Sequence, residues 1–547
     1  MRFRGEANVS LGLKRALYAL WLLLIAGFAA LHAVHLSADF PNHTPWYMDW
    51  AKYTDEGWYG NAAIRAHLFG QWYVPGGFNP APAVPVWPFL EWVEFFFTGV
   101  SASAARGLAV GFFYLNLLLT YLLVSRRGQR WAGLMAVTLL VTSPFLYCFS
   151  RLAILEPLLT TLALAALLAA VRLGEARRPV RDAAGIGFLF TLMLLTKTTA
   201  VFLLPALAWA MVSSMWGNWR SARRCLIAAG VTSAASFGLW MALVVRAGML
   251  PDFRYLFFIN TYPKPHEFYW PIVSFWWSLH GGMWVDRILV PLACVLAAAA
   301  LAASGGVDRR RRGPWRAWGS GLAMDPVFGS SVLAAMGYVL FMAYQDHPQP
   351  RYFAVVAFFC FILVAKGTGA LLSRQGTIRK IGWAALALAV GAAVANSAWT
   401  LSYAMHPEYT WVDAARNLTR YIDQHPNGNR LLVSSSGDEI TLMTHLRTMC
   451  DDFGTPTPEI PDLATRLAVY KPGWYATWND MDPGTLADLH TQYSVEQVAS
   501  FPAFDDPNRN VLVLFKLHPL PGGMERDEGD ENLTIPLPGD KIEIPVE

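Results

Sequence analysis

With 547 residues, 54% of them hydrophobic and only 15% charged, the chain has too little polar surface for a water-soluble body of this size, because soluble domains carry roughly 25% charged residues. The net charge of +4 is small for this length and gives no basis for a nucleic-acid partner. The 23 Trp and 32 Phe suit apolar spans and membrane interfaces.

In chain order, the first apolar stretch, Ala16 to Val34, follows Arg2, Arg4, Lys14 and Arg15. Its length and the lack of a small-residue cleavage site predict a retained signal anchor. A spanning helix needs about 20 apolar residues. On that measure the chain has about eleven spans, near 16–36, 104–124, 132–150, 154–171, 184–196, 199–215, 226–246, 287–304, 324–344, 353–371 and 381–403. Basic clusters lie between them: Arg126, Arg127 and Arg130; Arg172, Arg177, Arg178 and Arg181; Arg220, Arg223 and Arg224; Arg309 to Arg312 with Arg316; and Arg374, Arg379 and Lys380. Loops on the cytoplasmic side collect Lys and Arg, and a cytoplasmic N-terminus puts every cluster there. The run Ala184 to Trp216 is long for one helix and short for two. One helix would throw the later clusters outside, so two short helices turning near Lys197 are expected.

Three long segments then face the other side. Ser37–Ser103 and Ala247–Asp286, rich in Trp, read as interfacial segments. From about residue 406 a polar helix, Trp411–His425, precedes a strand (Arg430–Ser435), a helix (Glu439–Arg447), a strand near Trp474–Thr477, a helix (Pro483–His490) and an alternating run, Val511–Leu517. The expected organisation is a membrane domain over 1–405, a small outer-face α/β domain over 406–519 and a disordered, acidic, Pro- and Gly-rich tail over 520–547. The five cysteines, Cys148, Cys225, Cys294, Cys360 and Cys450, have no metal or disulfide spacing, and no internal repeat is evident.

Ionisable residues near spans are costly and are functional candidates. Asp55 and Glu56 follow the first span, Arg151 and Glu156 lie at the turn between the third and fourth, Lys197 at that between the fifth and sixth, and Asp346, His347 and Arg351 at that between the ninth and tenth. The charge-derived topology brings all four turns to one face. A carboxylate there can serve as general base to a hydroxyl, and Lys and Arg can neutralise a phosphate. Each also has an ordinary reading. Asp55 and Glu56 suit the N-terminus of a solvated helix, Arg151 and Glu156 suit a structural ion pair, Lys197 suits snorkelling, and Asp346 with His347 suits a solvated loop. His32 and His35 have ligand-like spacing, but no His/Cys cluster argues for a metal.

Four passages carry a family resemblance. Tyr53-Thr-Asp-Glu-Gly-Trp-Tyr-Gly-Asn-Ala-Ala-Ile-Arg65, followed by Gly70-Gln-Trp-Tyr-Val-Pro75, resembles the first outer loop of polyprenyl-phosphate-sugar glycosyltransferases of the GT-C fold. That family includes protein O-mannosyltransferases and the lipid A aminoarabinose transferase. Ser150-Arg-Leu-Ala-Ile-Leu-Glu-Pro157 resembles its second acidic loop. Leu194-Leu-Thr-Lys-Thr-Thr-Ala200 resembles its Leu-Thr-Lys-Gly motif, with Thr198 where Gly is usual, and His347-Pro-Gln-Pro-Arg-Tyr-Phe353 resembles its later Arg-Tyr motif.

The resemblance implies a polytopic α-helical, GT-C-like membrane enzyme with a small C-terminal α/β domain, and the absence of organelle retention signals points to a bacterial inner membrane. It implies an inverting transfer from a polyprenyl-phosphate-linked sugar donor to a hydroxyl of a protein, lipid or polymer acceptor, without a nucleotide or a metal, so no cofactor is expected. By position, Asp55 is the general base with Glu56 as alternate, and Glu156 orients the acceptor or the base. Lys197 and Arg351 hold the donor phosphate with Tyr352 and His347 nearby, Arg65 ties the first loop's acids in place, and Arg151 supports. The stretch Phe78–Trp87 lacks the Lys-Pro-Pro motif of the aminoarabinose and mannose branches, so donor identity does not carry over. A transporter or flippase of lipid-linked sugars is the rival reading. Such proteins often show internal repeats and midplane broken helices, whereas here the charges gather at one face.

Overall fold

The computed structural model describes residues 11–46, 49–74, 77–259, 270–304, 314–345, 349–451, 462–479, 483–504, 506, 509–521, 535–537 and 540–542. The N-terminal part runs through α1 (Leu11–His32), α2 (Asp55–Phe69), α3 (Val86–Thr98), α4 (Ala102–Val124), α5 (Arg130–Val141), α6 (Pro144–Phe149), α7 (Leu155–Ala170), α8 (Pro179–Leu194), α9 (Leu204–Ser214) and α10 (Trp219–Arg246). Then follow α11 (Leu250–Arg254), α12 (Trp270–Gly281), α13 (Leu289–Ser304), α14 (Pro314–Ala323), α15 (Pro326–Gln345), α16 (Phe353–Leu372) and α17 (Thr377–Met405).

Among the described residues, seven helices are long and apolar enough to cross a membrane, and Arg130–Val141, Thr198–Ser214 and Leu289–Ser304 are shorter apolar helices. Leu23, Phe97, Leu239, Val295 and Val394 stand exposed on the outer surface. An apolar exterior of this kind is stable against lipid rather than water. The centre of the bundle is α16, buried from Phe353 to Thr368, with its N-terminus at Arg351–Tyr352.

The expected break near Lys197 is present, and its geometry follows from close packing. Thr191 Oγ1 on α8 lies 3.1 Å from Ser233 Oγ and 2.8 Å from Ser236 Oγ on α10, and Gly187 abuts Ala229. Both residue numbers rise together, so α8 and α10 run parallel. The chain between them must therefore return, and it does so through a 3-10 segment (Thr198–Leu203) and α9, whose end at Ser214 touches Gly174 just before α8. The basic turns gather at that end: Arg126 pairs with Glu175 at 2.7 Å, and Arg374 bonds to the Ala317 carbonyl at 3.0 Å.

The C-terminal part holds α18 (Thr410–Gln424), β1 (Leu432–Val433), α19 (Gly437–Thr444), β2 (Thr448–Met449), α20 (Leu463–Tyr470), β3 (Trp474–Trp478), α21 (Pro483–His490), β4 (Tyr493–Pro502) and β5 (Val511–Pro519). The sheet order is β2-β1-β3-β5-β4; β1 lies parallel to β2 and β3, and β5 antiparallel to β3 and β4. The elements expected from periodicity occur here with shifted ends, and β2, α20 and β4 are additional. Much of the tail expected to be disordered lies outside the described residues, while β6 (Ile535–Leu537) and β7 (Asp540–Ile542) pair antiparallel.

A Cβ on Gly187 would stand 2.8 Å from the Ala229 Cα, inside any real contact distance. Gly187→Leu is therefore expected to reduce stability by about 1–3 kcal/mol through overpacking, seen as earlier thermal unfolding of the detergent-solubilised protein. Unchanged unfolding would contradict the close α8–α10 contact.

Candidate active site

At the end of the bundle opposite the basic turns, four helix starts converge. Asp55 and Glu56 occupy the first turn of α2 and Glu156 that of α7, where the helix dipole favours carboxylates. Lys197 directly precedes the 3-10 segment that leads to α9, and Arg351 and Tyr352 lie in the short turn that opens α16.

Arg351 bridges two acids. Its Nη1 donates to Asp49 Oδ1 at 2.7 Å, its backbone N–H to Asp49 Oδ2 at 2.7 Å, and its Nε lies 3.1 Å from Asp55 Oδ2. Lys197 Nζ donates to Glu156 Oε1 at 2.5 Å. The Tyr352 ring lies between the two cations, with its centroid 4.6 Å from Lys197 Nζ and 5.0 Å from Arg351 Cζ. The Tyr59 ring centroid lies 5.9 Å from Lys197 Nζ, and Thr199 Oγ1 and Tyr338 Oη are 3.0 Å apart. Asp49, Asp55, Glu156, Lys197 and Arg351 are all buried. Burial pushes the Asp55 carboxyl above the ordinary aspartate value; Arg351 and Lys197 oppose this, while Asp49 and Glu156 add to it.

Asp55 Oδ2 and Arg351 Nε face each other as an ion pair, and the second oxygen of Glu156, Oε2, is buried with no hydrogen-bond partner. Native proteins satisfy nearly all such groups, so the unsatisfied Glu156 oxygen marks a place for a polar ligand. With one acceptor left over on Glu156, beside two cations that are held only by carboxylates, the cluster can orient a hydroxyl and offers charge to an anionic oxygen.

The sequence-expected residues divide into two groups. Asp55, Glu156, Lys197, Arg351 and Tyr352 come together. Glu56 does not join them: its carboxylate takes Arg106 Nε at 2.7 Å and Arg106 Nη2 at 2.5 Å, and accepts the Ala153 N–H at 2.7 Å. Arg65 does not hold the first loop's acids. It reaches the C-terminal part, pairing with Asp438 at 3.7 Å and bonding to the Thr448 carbonyl. Arg151 does not pair with Glu156. It donates to the Val34 and His35 carbonyls at 2.6 and 2.7 Å and covers the Tyr147 ring. His347, with Asp346, lies outside the described residues. His32 is buried against Ser150 and the Val141 carbonyl. Among the described residues, no group of three or more His, Cys, Asp or Glu is placed to hold a metal ion.

Asp49 is the member that sequence reading missed. It caps the 3-10 turn Trp50–Lys52 through the Ala51 N–H at 2.8 Å, and that turn brings it beside Asp55. The available signal was a second acid six residues upstream.

Residues 80–241 match the family described as dolichyl-phosphate-mannose-protein mannosyltransferase, a stretch that contains Glu156 and Lys197. The likeness to GT-C polyprenyl-phosphate-sugar glycosyltransferases is thus borne out. No curated protein matches the chain. Among solved structures, archaeal oligosaccharyltransferase AglB from Archaeoglobus fulgidus, in complex with an inhibitory peptide and a dolichol-phosphate, is 12% identical, over 84% of this chain and 69% of that one, with a TM-score of 0.48. ArnT from Cupriavidus metallidurans bound to undecaprenyl phosphate is 15% identical, over 90% and 98%, with a TM-score of 0.45. The arabinofuranosyltransferase AftD from Mycobacteria is 16% identical, over 91% and 41%, with a TM-score of 0.43.

Arg351→Met would leave Asp49 and Asp55 as uncompensated buried charges. A loss of about 3–5 kcal/mol of stability is expected. Arg126→Ala, which breaks a pair whose Glu175 partner is 67% exposed, is expected to change stability by at most about 1 kcal/mol. Denaturant titration of both variants in detergent checks the contrast.

Proposed function

We propose that this chain is an inverting membrane glycosyltransferase that moves a sugar from a polyprenyl-phosphate donor to an acceptor hydroxyl on the non-cytoplasmic face. The observation that carries the reading is the buried cluster in which Arg351 and Lys197 meet Asp55, Asp49 and Glu156 at the start of four helices, with Glu156 Oε2 unpartnered. The family match over 80–241 and the four sequence passages support the same reading.

In this reading Asp55 takes the acceptor hydroxyl's proton as its oxygen attacks the anomeric carbon. The bond from that carbon to the phosphate oxygen breaks on the opposite face, which inverts the centre. Polyprenyl phosphate leaves with its negative charge held by Lys197 and Arg351, aided by the N-terminal dipole of α16. Glu156 fixes Lys197, and Tyr352 keeps the two cations apart. The membrane supplies the donor laterally, and the C-terminal domain stands on the acceptor side.

Release of polyprenyl phosphate from a panel of polyprenyl-phosphate monosaccharides, with membrane extract as acceptor, tests this. Wild-type release is expected to fall about 10²–10⁴-fold in Asp55→Asn and about 10²–10³-fold in Lys197→Ala. No release from any donor, with vesicle flipping that survives Asp55→Asn, would replace the reading with transport. Because burial raises the Asp55 carboxyl and the base must be ionised, kcat/KM is expected to fall on acidification at a pH above 3.8, the ordinary aspartate value. An acid limb at or below that value would contradict Asp55 as the base.

A further inference from the structure

The segment Asp49–Gly57 is held from two sides. Towards the bundle, Asp49 and Asp55 meet Arg351. Glu56 is fixed by Arg106 and the Ala153 N–H, and on the other side Trp50, Lys52, Tyr53 and Gly57 meet the C-terminal part. Lys52 Nζ lies 2.9 Å from Asp506 Oδ2, with side chains 5% and 1% exposed, and stands 4.9 Å from the Phe504 ring centroid. Tyr53 packs against Trp478 and Phe504, with centroids 5.6 and 6.3 Å away, inside a core cluster that includes Trp411 and Trp474. The Arg509 guanidinium lies 4.7 Å from both the Trp50 and Tyr53 rings. Two residues beyond Asp55, the Gly57 N–H donates to Glu439 Oε2 at 2.8 Å. Any side chain at Gly57 would run into the Asp438–Glu439 backbone.

We propose that the C-terminal domain is a positioning element of the transfer site, holding Asp49 and Asp55 against Arg351 through the Lys52–Asp506 pair and the Glu439 grip on Gly57. The inference rests on the transferase reading for its catalytic consequence, but the grip itself is testable without turnover. A 3-10 turn of three residues has little stability of its own, because nucleating helical structure is unfavourable. Its shape must be imposed from outside, and both acids depend on that shape. Burial pulls the Lys52 ammonium down, and Asp506 holds it up, so losing Asp506 leaves a buried cation that must move towards water and drag the turn with it. The C-terminal domain also covers the far side of the segment and keeps water from Asp55.

The test uses the full chain in detergent. In Asp506→Asn, amide hydrogen exchange over residues 50–57 is expected to rise about tenfold or more, with exchange in α16 and β3 unchanged. The double variant Lys52→Met/Asp506→Asn removes both charges, a change that buried pairs often tolerate, and is expected to show the same local rise. Exchange over 50–57 that stays as in wild type, or that rises only together with β3, overturns the proposal. In turnover, kcat for polyprenyl phosphate release is expected to fall about 10- to 100-fold, as for a misplaced catalytic group, with KM for the donor unchanged. The acid limb should move to lower pH as Asp55 is wetted, and Asp506→Glu should restore most of the rate. A variant with wild-type kcat and acid limb overturns the positioning role and leaves the transferase reading intact. A wild type inactive on every donor overturns the transferase reading, and the exchange result still decides the grip.

Discussion

The site depends first on one buried ion pair, Glu56 with Arg106. Arg106 sits in the apolar span α4, where an unpaired guanidinium is expensive. Its bidentate bond to Glu56 removes much of that cost, and its Nη1 also takes the Leu36 and Ala38 carbonyls at 3.0 and 2.5 Å. Glu56 in turn accepts the Ala153 N–H, in the loop that leads to Glu156. One carboxylate thus ties the end of the first span, α2, α4 and the second acidic loop together. Adjacent residues on a helix point about 100° apart, so committing Glu56 to Arg106 turns Asp55 away from it, towards Arg351.

Charge balance decides what the remaining cluster can do. Three carboxylates, Asp49, Asp55 and Glu156, face two cations, Lys197 and Arg351. Burial raises the Asp55 carboxyl against the pull of Arg351 and Lys197, with Asp49 and Glu156 adding to the rise, and a carboxyl perturbed in this way is a candidate base. Arg351 is shared between two acids, so it is not used up by either. Lys197 is a single point charge beside Tyr352 and can swing between Glu156 and an anion. Helix N-termini at α2, α7 and α16 add fixed positive potential around them.

Much of the site could be read in the chain. Asp55, Glu156, Lys197 and Arg351 were legible because each is an ionisable residue at a turn between apolar spans, and the basic clusters assigned those turns to one side. The break at Lys197 was legible through the same parity. Glu56, Arg65 and Arg151 have the same signature as the site residues, yet each is spent on holding elements together. Nothing in local sequence separates a buried bracing charge from a reactive one, since both need a costly residue in a dry place. Asp49 was hidden because its link to Asp55 runs through a 3-10 turn whose shape the C-terminal domain imposes.

Hydropathy and charge in the sequence alone determined that the chain crosses a membrane, which residues gather at which end, and that the last part holds helices and strands of a different, more polar composition. These follow from transfer free energies and periodicity, which are local properties. Which carboxylate faces which cation was decided only by tertiary structure. That choice turns on the parallel packing of α8 with α10, the burial of α16, and the seating of α19 on Gly57. Such contacts join residues far apart in sequence, and their geometry is set by close packing rather than by any pattern within one segment.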